Sequence, residues 1–186
     1  MIPAKPFYMI RHGESTANKE QFFSGDQDVP LTALGVQQAQ EAQRIVEALE
    51  IKPNIIVHSH LSRARDTAIT INQNLNIDMI ENKNFAEQFF GDWQGCPSAQ
   101  IVPMFLADHE PPNGETCDDF RSRIKTGFQE ILPKHQLPLI VCHGGVFGAF
   151  YTMHGQAKQS SKNCKLYKFT PYEENQAFPW AIELIE

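Results

Sequence analysis

The 186-residue chain carries 16 Lys and Arg against 22 Asp and Glu, a formal net charge of −6 with neutral histidines. Hydrophobic residues make up 41% and charged residues 20%, near the averages of globular proteins, so the composition excludes collagen-like, coiled-coil and disordered chains. The acidic balance argues against a general affinity for nucleic acid or an anionic membrane surface, and we expect neither as a partner. The length predicts one domain over residues 1–186.

Cysteine usage and the N-terminal residues indicate the compartment. The four cysteines contain no CxxC pair, which predicts neither a disulfide framework nor a zinc cage. The first residues lack the apolar region of a signal peptide. Pro138 and His143 interrupt the longest apolar stretch, Leu137 to Met153, so it is predicted to be a strand followed by a helix rather than a membrane span. We therefore expect a cytoplasmic protein.

Short apolar runs alternate with amphipathic stretches, which is typical of a three-layer α/β/α sandwich with a mostly parallel sheet. The six predicted strands are Phe7–Ile10, Asn54–Val57, Ile77–Ile80, Leu139–Cys142, Lys165–Phe169 and Trp180–Leu184. Apolar residues at helical spacing predict one helix behind Thr32 as N-cap and another behind Thr116. A third helix is predicted from a Ser62 cap to Asn74.

Residues 82–113 interrupt this alternation. The segment is rich in Phe, Trp and Pro and is predicted to be an irregular excursion, with one short helix near Ser98–Ala107. Long excursions of this kind often form lids, and we expect a small lid here. The later run of lysines at 158, 162, 165 and 168 is predicted to be a solvated face.

Polar groups follow three of the predicted strands directly. Arg11 and His12 follow the first, Arg63 comes shortly after the second, and His143 follows the fourth. Because the carboxyl ends of strands line the ligand crevice of open α/β sheets, these side chains are expected to meet in one pocket.

Such a cluster suits a phosphoryl group. Guanidinium groups hydrogen-bond phosphate oxygens in pairs, and glycines let backbone N–H groups approach closely. A histidine beside cations stays neutral and can attack phosphorus. His12 is the better nucleophile candidate because Gly13 permits a tight turn after it, and His143 is predicted to donate a hydrogen bond to the phosphoryl group.

Several blocks resemble the histidine phosphatase superfamily, the phosphoglycerate mutase-like enzymes. They occur in the family's order along nearly the whole chain: RHGESTAN at 11–18, DVPLTALGVQQA at 28–39, SHLSRARDTA at 59–68, FGDWQG at 90–95, GET at 114–116 and HGG at 143–145. The resemblance favours the phosphatase branch and implies an enzyme, a phosphoric monoester hydrolase of the histidine acid phosphatase type.

The resemblance also implies roles for individual residues. His12 would take the phosphoryl group as a covalent phosphohistidine, and Glu87 would be first general acid and then general base. The residues implied to bind the substrate are Arg11, Asn18, Ser24, Gly25, Arg63, His143 and Gly144. Arginines and histidines can neutralise the transferring charge themselves, so we expect no metal and no cofactor, and a small phosphorylated metabolite as substrate.

Departures from the family pattern separate hydrolysis from mutase activity. The mutases carry a longer, basic insert and usually Asn after His-Gly, whereas here the excursion holds a single basic residue, Lys83, besides His109, and Gly145 follows Gly144. This favours hydrolysis, with a cofactor-dependent phosphoglycerate mutase as the alternative. Glu81 and Asp92 are alternative proton donors to Glu87.

Two further alternatives come from the residues themselves. His58 and His60 form a His-x-His pair that a strand would present on one face, which raises a metal-dependent hydrolase as an alternative. A phosphate-binding module without turnover is the other alternative, and the intact set of His12, Arg63, Glu87 and His143 argues against it. The sequence leaves the oligomeric state open.

Overall fold

The computed structural model describes residues 1–172 and 177–186 and contains a six-stranded sheet. The strands are β1 (Phe7–Arg11), β2 (Ile55–His58), β3 (Met79–Glu81), β4 (Pro138–Cys142), β5 (Leu166–Pro171) and β6 (Trp180–Ile185), in the order β3-β2-β4-β1-β5-β6. The pairs among β1, β2, β3 and β4 are parallel, and β5 and β6 pair antiparallel. The predicted mostly parallel six-stranded sheet is confirmed.

Helices cover both faces of this sheet. They are α1 (Thr16–Glu20), α2 (Ala33–Ala48), α3 (Ser62–Asn72), α4 (Ser98–Leu106), α5 (Cys117–Ile131) and α6 (Gly144–Thr152). The buried side chains of β1 alternate: Phe7 and Met9 pack in the core beside α5 and α6, while Tyr8 and Ile10 pack in the core beside α2 and α3. Two hydrophobic cores thus flank the sheet, and the predicted three-layer sandwich is confirmed.

Local signals explain most helix ends. The Thr32 hydroxyl accepts the N–H of Gly35 at 3.0 Å, and the Thr116 hydroxyl accepts that of Asp119 at 3.1 Å, so both predicted N-caps are confirmed. The predicted Ser62 cap is wrong. Ser62 is the first helical residue of α3, and its N–H donates instead to the Asp28 carboxylate at 2.7 Å, a partner far away in sequence.

The excursion forms two short 3-10 turns, Lys83–Phe85 and Gly91–Trp93, followed by α4. It has its own hydrophobic cluster, in which Phe90, Trp93 and Ile101 are buried and Phe23 and Phe105 pack against them. The predicted short helix is confirmed, and its apolar residues hold the excursion together. In the described part of the chain no helix has the length and hydropathy needed to cross a membrane.

Candidate active site

A cleft of about 330 Å³ lies between the carboxyl ends of β1 and β4 and the excursion. Because β1 and β4 are parallel neighbours, His12 and His143 leave the sheet at the same edge, with ring centroids 5.1 Å apart. The predicted site residues that line the cleft are Arg11, His12, Asn18, Ser24, Gly25, Arg63, Glu87 and Gly144. His143 is fully buried behind His12 and is not part of this lining.

The ring of His12 is held in one orientation. Its Nδ1 lies 2.7 Å from the carbonyl oxygen of Gly13, and since a carbonyl only accepts, Nδ1 carries the proton and Nε2 keeps its lone pair. Burial, together with the charges of Arg63 and Arg11, holds the pKa of His12 well below its usual value. The ring is therefore neutral at physiological pH and has a free basic nitrogen.

Gly13 positions this loop by its small size. Its φ is not positive, so this position does not use the backbone freedom of glycine, but a Cβ here would collide with the backbone of Gly35 at the start of α2. Its N–H donates to the buried Thr67 hydroxyl at 3.1 Å, which ties the loop to α3. The loop after β1 is thus clamped between two helices.

His143 has a polar ring without protein partners. It is the N-cap residue of α6, and within residues 1–172 and 177–186 neither of its ring nitrogens has a hydrogen-bond partner. Burial, followed by the charge of Arg63, holds the pKa of His143 well below its usual value. Buried polar atoms without partners are rare and often mark a functional site.

Two arginines supply the positive charge of the site. Arg63 is 1% exposed, and its Nη1 and Nη2 donate to the carbonyl oxygens of Gln27 and Gly25 at 2.8 and 2.7 Å. Burial lowers the pKa of Arg63 to about 10, so the group is still charged at neutral pH. Arg11 donates from Nη1 to the Ser161 carbonyl oxygen at 2.9 Å. Its buried Nε has no partner in the described part of the chain.

Asn18 reaches the cleft from α1, a helix that sequence periodicity missed because it spans a little more than one turn. The side chains of Ser15 and Asn18 form a capping box, in which the Asn18 Oδ1 accepts the Ser15 N–H at 3.1 Å. The same oxygen accepts from Asn163 Nδ2 at 3.3 Å, and Asn163 also donates to the His12 carbonyl oxygen at 2.8 Å. Asn163 is a supporting residue that the sequence did not indicate.

Glu87 is the acid that faces the cleft. Its carboxylate accepts the N–H of Gly145 at 3.0 Å, at the first turn of α6, and the N–H of Gln88 at 3.0 Å. A Cβ on Gly145 would collide with the Glu87 carboxylate. The two alternative acids lie outside the cleft lining. Glu81 lies on β3 beside His58 of β2 in the register of the parallel strands, and the Asp92 carboxylate accepts a hydrogen bond from Asn113 at 2.9 Å.

The two glycines predicted to contact substrate have structural roles as well. Gly25 has a φ of 54°, and its carbonyl oxygen accepts from Arg63 Nη2 at 2.7 Å. A Cβ on Gly144 would lie 2.9 Å from the Ser160 hydroxyl and 3.5 Å from Arg11 Cζ. Glycine at both positions keeps the arginines close to the backbone around the cleft.

His58 and His60 do not share a strand face. β2 ends at His58, whose Nδ1 lies 2.9 Å from the Ser59 carbonyl oxygen, and His60 follows in a bend where strand alternation no longer applies. His60 instead lies close enough to His143 to contribute to lowering the pKa of that ring. Among the described residues, no group of three or more His, Cys, Asp or Glu side chains is arranged to hold a metal ion.

Much of the cleft lining is apolar and was only partly anticipated. The apolar lining residues are Phe22, Phe23, Phe90, Val102, Phe105 and Leu106. The sequence marks the excursion as rich in Phe and Trp, but it does not single out Phe22, Phe23 or the α4 residues.

The predicted solvated lysine face is wrong for Lys158, whose side chain is 8% exposed and bonds to Asp108 at 2.6 Å.

The chain matches a known protein family and resembles several named proteins. Residues 7–179 match the family model described as histidine phosphatase superfamily (branch 1). A Bacillus subtilis protein named uncharacterized phosphatase PhoE is 34% identical, over 77% of this chain and 74% of its own. A 2,3-bisphosphoglycerate-dependent phosphoglycerate mutase from Parvibaculum lavamentivorans is 31% identical, over 73% of each chain.

The solved structures agree on the fold. The alpha-ribazole phosphatase from Shigella flexneri superposes with a TM-score of 0.79 and 24% identity, over 97% of this chain and 95% of its own.

Proposed function

This chain belongs to the histidine phosphatase superfamily (branch 1), and we propose that it is a metal-independent phosphomonoesterase that works through phospho-His12. One observation carries the proposal: His12 presents a neutral imidazole, with its proton on Nδ1, in a cleft that Arg11 and the buried Arg63 line. The unprotonated Nε2 of such a ring is a nucleophile, and the guanidinium groups neutralise the charge of the phosphoryl oxygens. The proposed substrate is a small phosphorylated metabolite.

Binding of the phosphoryl group would use N–H donors at the cleft and directly beneath its lining. Arg63 has N–H groups beyond the two that bond to Gln27 and Gly25, and the Nε of Arg11 lacks a partner among the described residues. Asn18 uses its oxygen inside the capping box, so its Nδ2 would donate. His143, with both nitrogens unpaired in the described structure, would supply a further donor from one ring N–H.

The transfer itself would occur in two steps. The His12 Nε2 lone pair forms a bond to phosphorus while the P–O bond to the leaving group breaks, and Glu87 gives its proton to the leaving oxygen. Water then attacks phosphorus, the N–P bond breaks, and Glu87 accepts the proton of the water. His12 returns to its neutral form with Nδ1 still bonded to Gly13.

The test is hydrolysis of a panel of phosphate monoesters in the presence of EDTA, with samples quenched in alkaline detergent and assayed for phosphohistidine. We expect wild-type protein to release phosphate and to form acid-labile, base-stable phosphoprotein. His12→Ala should abolish both, and His109→Ala, which removes an exposed histidine of the excursion, should leave both unchanged. EDTA-sensitive turnover, or turnover that persists in His12→Ala, would contradict the mechanism.

The mutase alternative has its own outcome in the same assay. A cofactor-dependent phosphoglycerate mutase would form phospho-His12 but return the group to 3-phosphoglycerate when primed with a bisphosphate. Isomerisation faster than phosphate release would overturn the hydrolase assignment while leaving the role of His12 intact.

A further inference from the structure

Part of the cleft wall is built from aromatic rings that come from different segments of the chain. The Phe23 ring centroid lies 4.9 Å from that of Phe90 and 5.9 Å from that of Phe105, and the Phe90 and Phe105 centroids are 5.7 Å apart. Each ring therefore contacts the other two. The three form a continuous apolar surface, which we call the aromatic wall.

Helix α4 extends this wall toward the mouth of the cleft. Val102 and Leu106 are spaced four residues apart, so they share one face of the helix, and both line the cleft. They are 39% and 51% exposed, although their neighbour Ile101 is 3% exposed and packs inside the excursion. The cleft thus presents two large aliphatic side chains that the protein itself does not cover.

The cleft lining carries few charged side chains. Among the described lining residues, the only lysine or arginine side chains are Arg11 and Arg63, and the only carboxylate is Glu87. Lys158, the lysine that touches the excursion from outside, directs its ammonium to the Phe105 carbonyl oxygen at 2.9 Å and the Asp108 carboxylate at 2.6 Å. Its charge is therefore paired with Asp108, and Lys158 is not part of the cleft lining.

A second anionic group on a substrate held within this cleft would meet no lysine or arginine side chain of the described lining other than Arg11 and Arg63. With the phosphoryl group between Arg11 and Arg63, a carboxylate or second phosphate on the leaving group would lie against apolar side chains and near the Glu87 carboxylate. Removing such a charge from water without a partner is costly. The volume of about 330 Å³ is at the small end of the range for small-molecule sites, which favours a compact leaving group.

We propose that the substrate is the phosphate monoester of a small, uncharged alcohol with an aromatic or branched apolar body that packs against the aromatic wall, Val102 and Leu106. The proposal rests on the proposed function, because it takes the phosphoryl group to lie at His12. It excludes substrates whose leaving group carries an acid, phosphoglycerates included.

The test compares ligands that differ by one charge. Phenyl phosphate and 4-carboxyphenyl phosphate have the same ring, and the carboxyl group does not make the phenol a poorer leaving group. Wild-type protein should hydrolyse phenyl phosphate with a kcat/KM at least about tenfold higher. Leu106→Lys, which adds a cation to the wall at a half-exposed position, should reduce or reverse this preference. Ile69→Lys, at an exposed apolar position of α3 outside the cleft lining, should preserve it.

Binding of non-hydrolysable analogues separates the two proposals. Calorimetry should show benzylphosphonate binding at least about tenfold more tightly than 4-carboxybenzylphosphonate. If this preference holds but no phosphate monoester is hydrolysed, the proposed function fails and the ligand class stands. If the carboxylated ligands bind or react as well as the uncharged ones in wild-type protein, the proposed substrate class is wrong, whether or not phospho-His12 forms.

Discussion

The carboxylate of Glu87 accepts a hydrogen bond from the backbone N–H of Gly145 at 3.0 Å, and the side chain fills the space that a Cβ on Gly145 would occupy. The acid therefore sits against the N-terminal turn of α6, and a backbone hydrogen bond from that turn holds it in place. The position and orientation of Glu87 depend on the absence of a side chain two residues after His143. This explains in physical terms why the second glycine of the HGG block, Gly145, has to lack a side chain.

Gly145→Ala should displace Glu87 without removing it. Because general acid catalysis depends on the position of the proton donor, we expect kcat to fall about a hundredfold while KM changes little. Substrates with good leaving groups, which need little protonation, should lose much less. Steady-state kinetics on a series of aryl and alkyl phosphates would measure this, with circular dichroism to verify the fold. Equal losses across the series would indicate that Gly145 does not act through Glu87.

Arg63 and Arg65 offer a matched pair for testing the anion site. Arg63 bonds to the Gln27 and Gly25 carbonyl oxygens through two different nitrogens, a fork that the single nitrogen of lysine does not reproduce while it also binds a phosphoryl oxygen. We expect Arg63→Lys to lower kcat/KM by a factor of roughly 10² to 10³, and to lower the free energy of unfolding by about 2 kcal/mol.

Arg65→Lys is the control for this change. Its side chain is 47% exposed and pairs with Asp66 at 3.0 Å, so activity and stability should both stay near wild type. Kinetics and urea titrations of the two variants give the comparison. Similar losses in both variants would show that general helix effects, rather than the anion site, determine the result.

The sequence predicted the charged end of the site because one rule applies to it. His12 and His143 follow buried apolar runs, and parallel strands bring their carboxyl ends to one edge, so distant residues meet there without knowledge of any contact. The same rule does not predict which apolar residues line the cleft. Phe23, Phe90, Phe105 and Leu106 come from loop, turn and helix, and no shared periodicity relates them.

Long-range partners explain the other differences. Ser62 has the residue type of an N-cap, but it lies within α3 and its N–H donates to the Asp28 carboxylate. Nothing in the local sequence signals that contact. Lys158 belongs to a regular run of lysines, yet Asp108 and the Phe105 carbonyl oxygen draw it into the protein. Local patterns predict elements well, whereas contacts between an excursion and the body require the three-dimensional structure.

The two buried histidines should make stability depend on pH. Burial, with help from Arg63, lowers the pKa of both His12 and His143, so below the unfolded value of about 6.5 the unfolded chain binds protons that the folded chain does not. The free energy of unfolding should therefore fall as the pH drops through about 6, by up to roughly 1.4 kcal/mol per pH unit for each ring.

Urea titrations between about pH 7 and pH 5 would measure this slope. His12→Gln should remove the contribution of His12, which is about half of the slope that the two buried histidines cause. His109→Gln, which removes an exposed ring, should leave the slope unchanged. If the slope in His12→Gln equals that of the wild-type protein, His12 takes up its proton equally in the folded and unfolded states, and the neutral nucleophile is not supported.

Lys158 should determine how firmly α4 is held against the body. Its ammonium bonds to Asp108 at 2.6 Å and lies 4.2 Å from the centre of the Phe105 ring, and Asp108 also accepts from Arg121 at 2.7 Å. Partial burial raises the pKa of Asp108, but the hydrogen bonds from Lys158 and Arg121 outweigh it and lower that pKa to about 2. The Asp108 carboxylate therefore stabilises the fold above its unfolded pKa of about 3.9, and this contribution is lost as the pH falls toward 2.

Lys158→Met keeps the apolar stem and removes the ammonium, so α4 should open more often. We expect hydrogen exchange of the α4 amides to accelerate roughly tenfold, with exchange in β1 and β4 unchanged. Lys162→Met, at an exposed position of the same run, should have no effect on α4. In wild-type protein, the protection of α4, corrected for intrinsic exchange, should stay constant down to about pH 4 because Asp108 is still ionised there. Exchange that accelerates equally in α4 and the central strands would show that Lys158 stabilises the whole domain rather than the excursion.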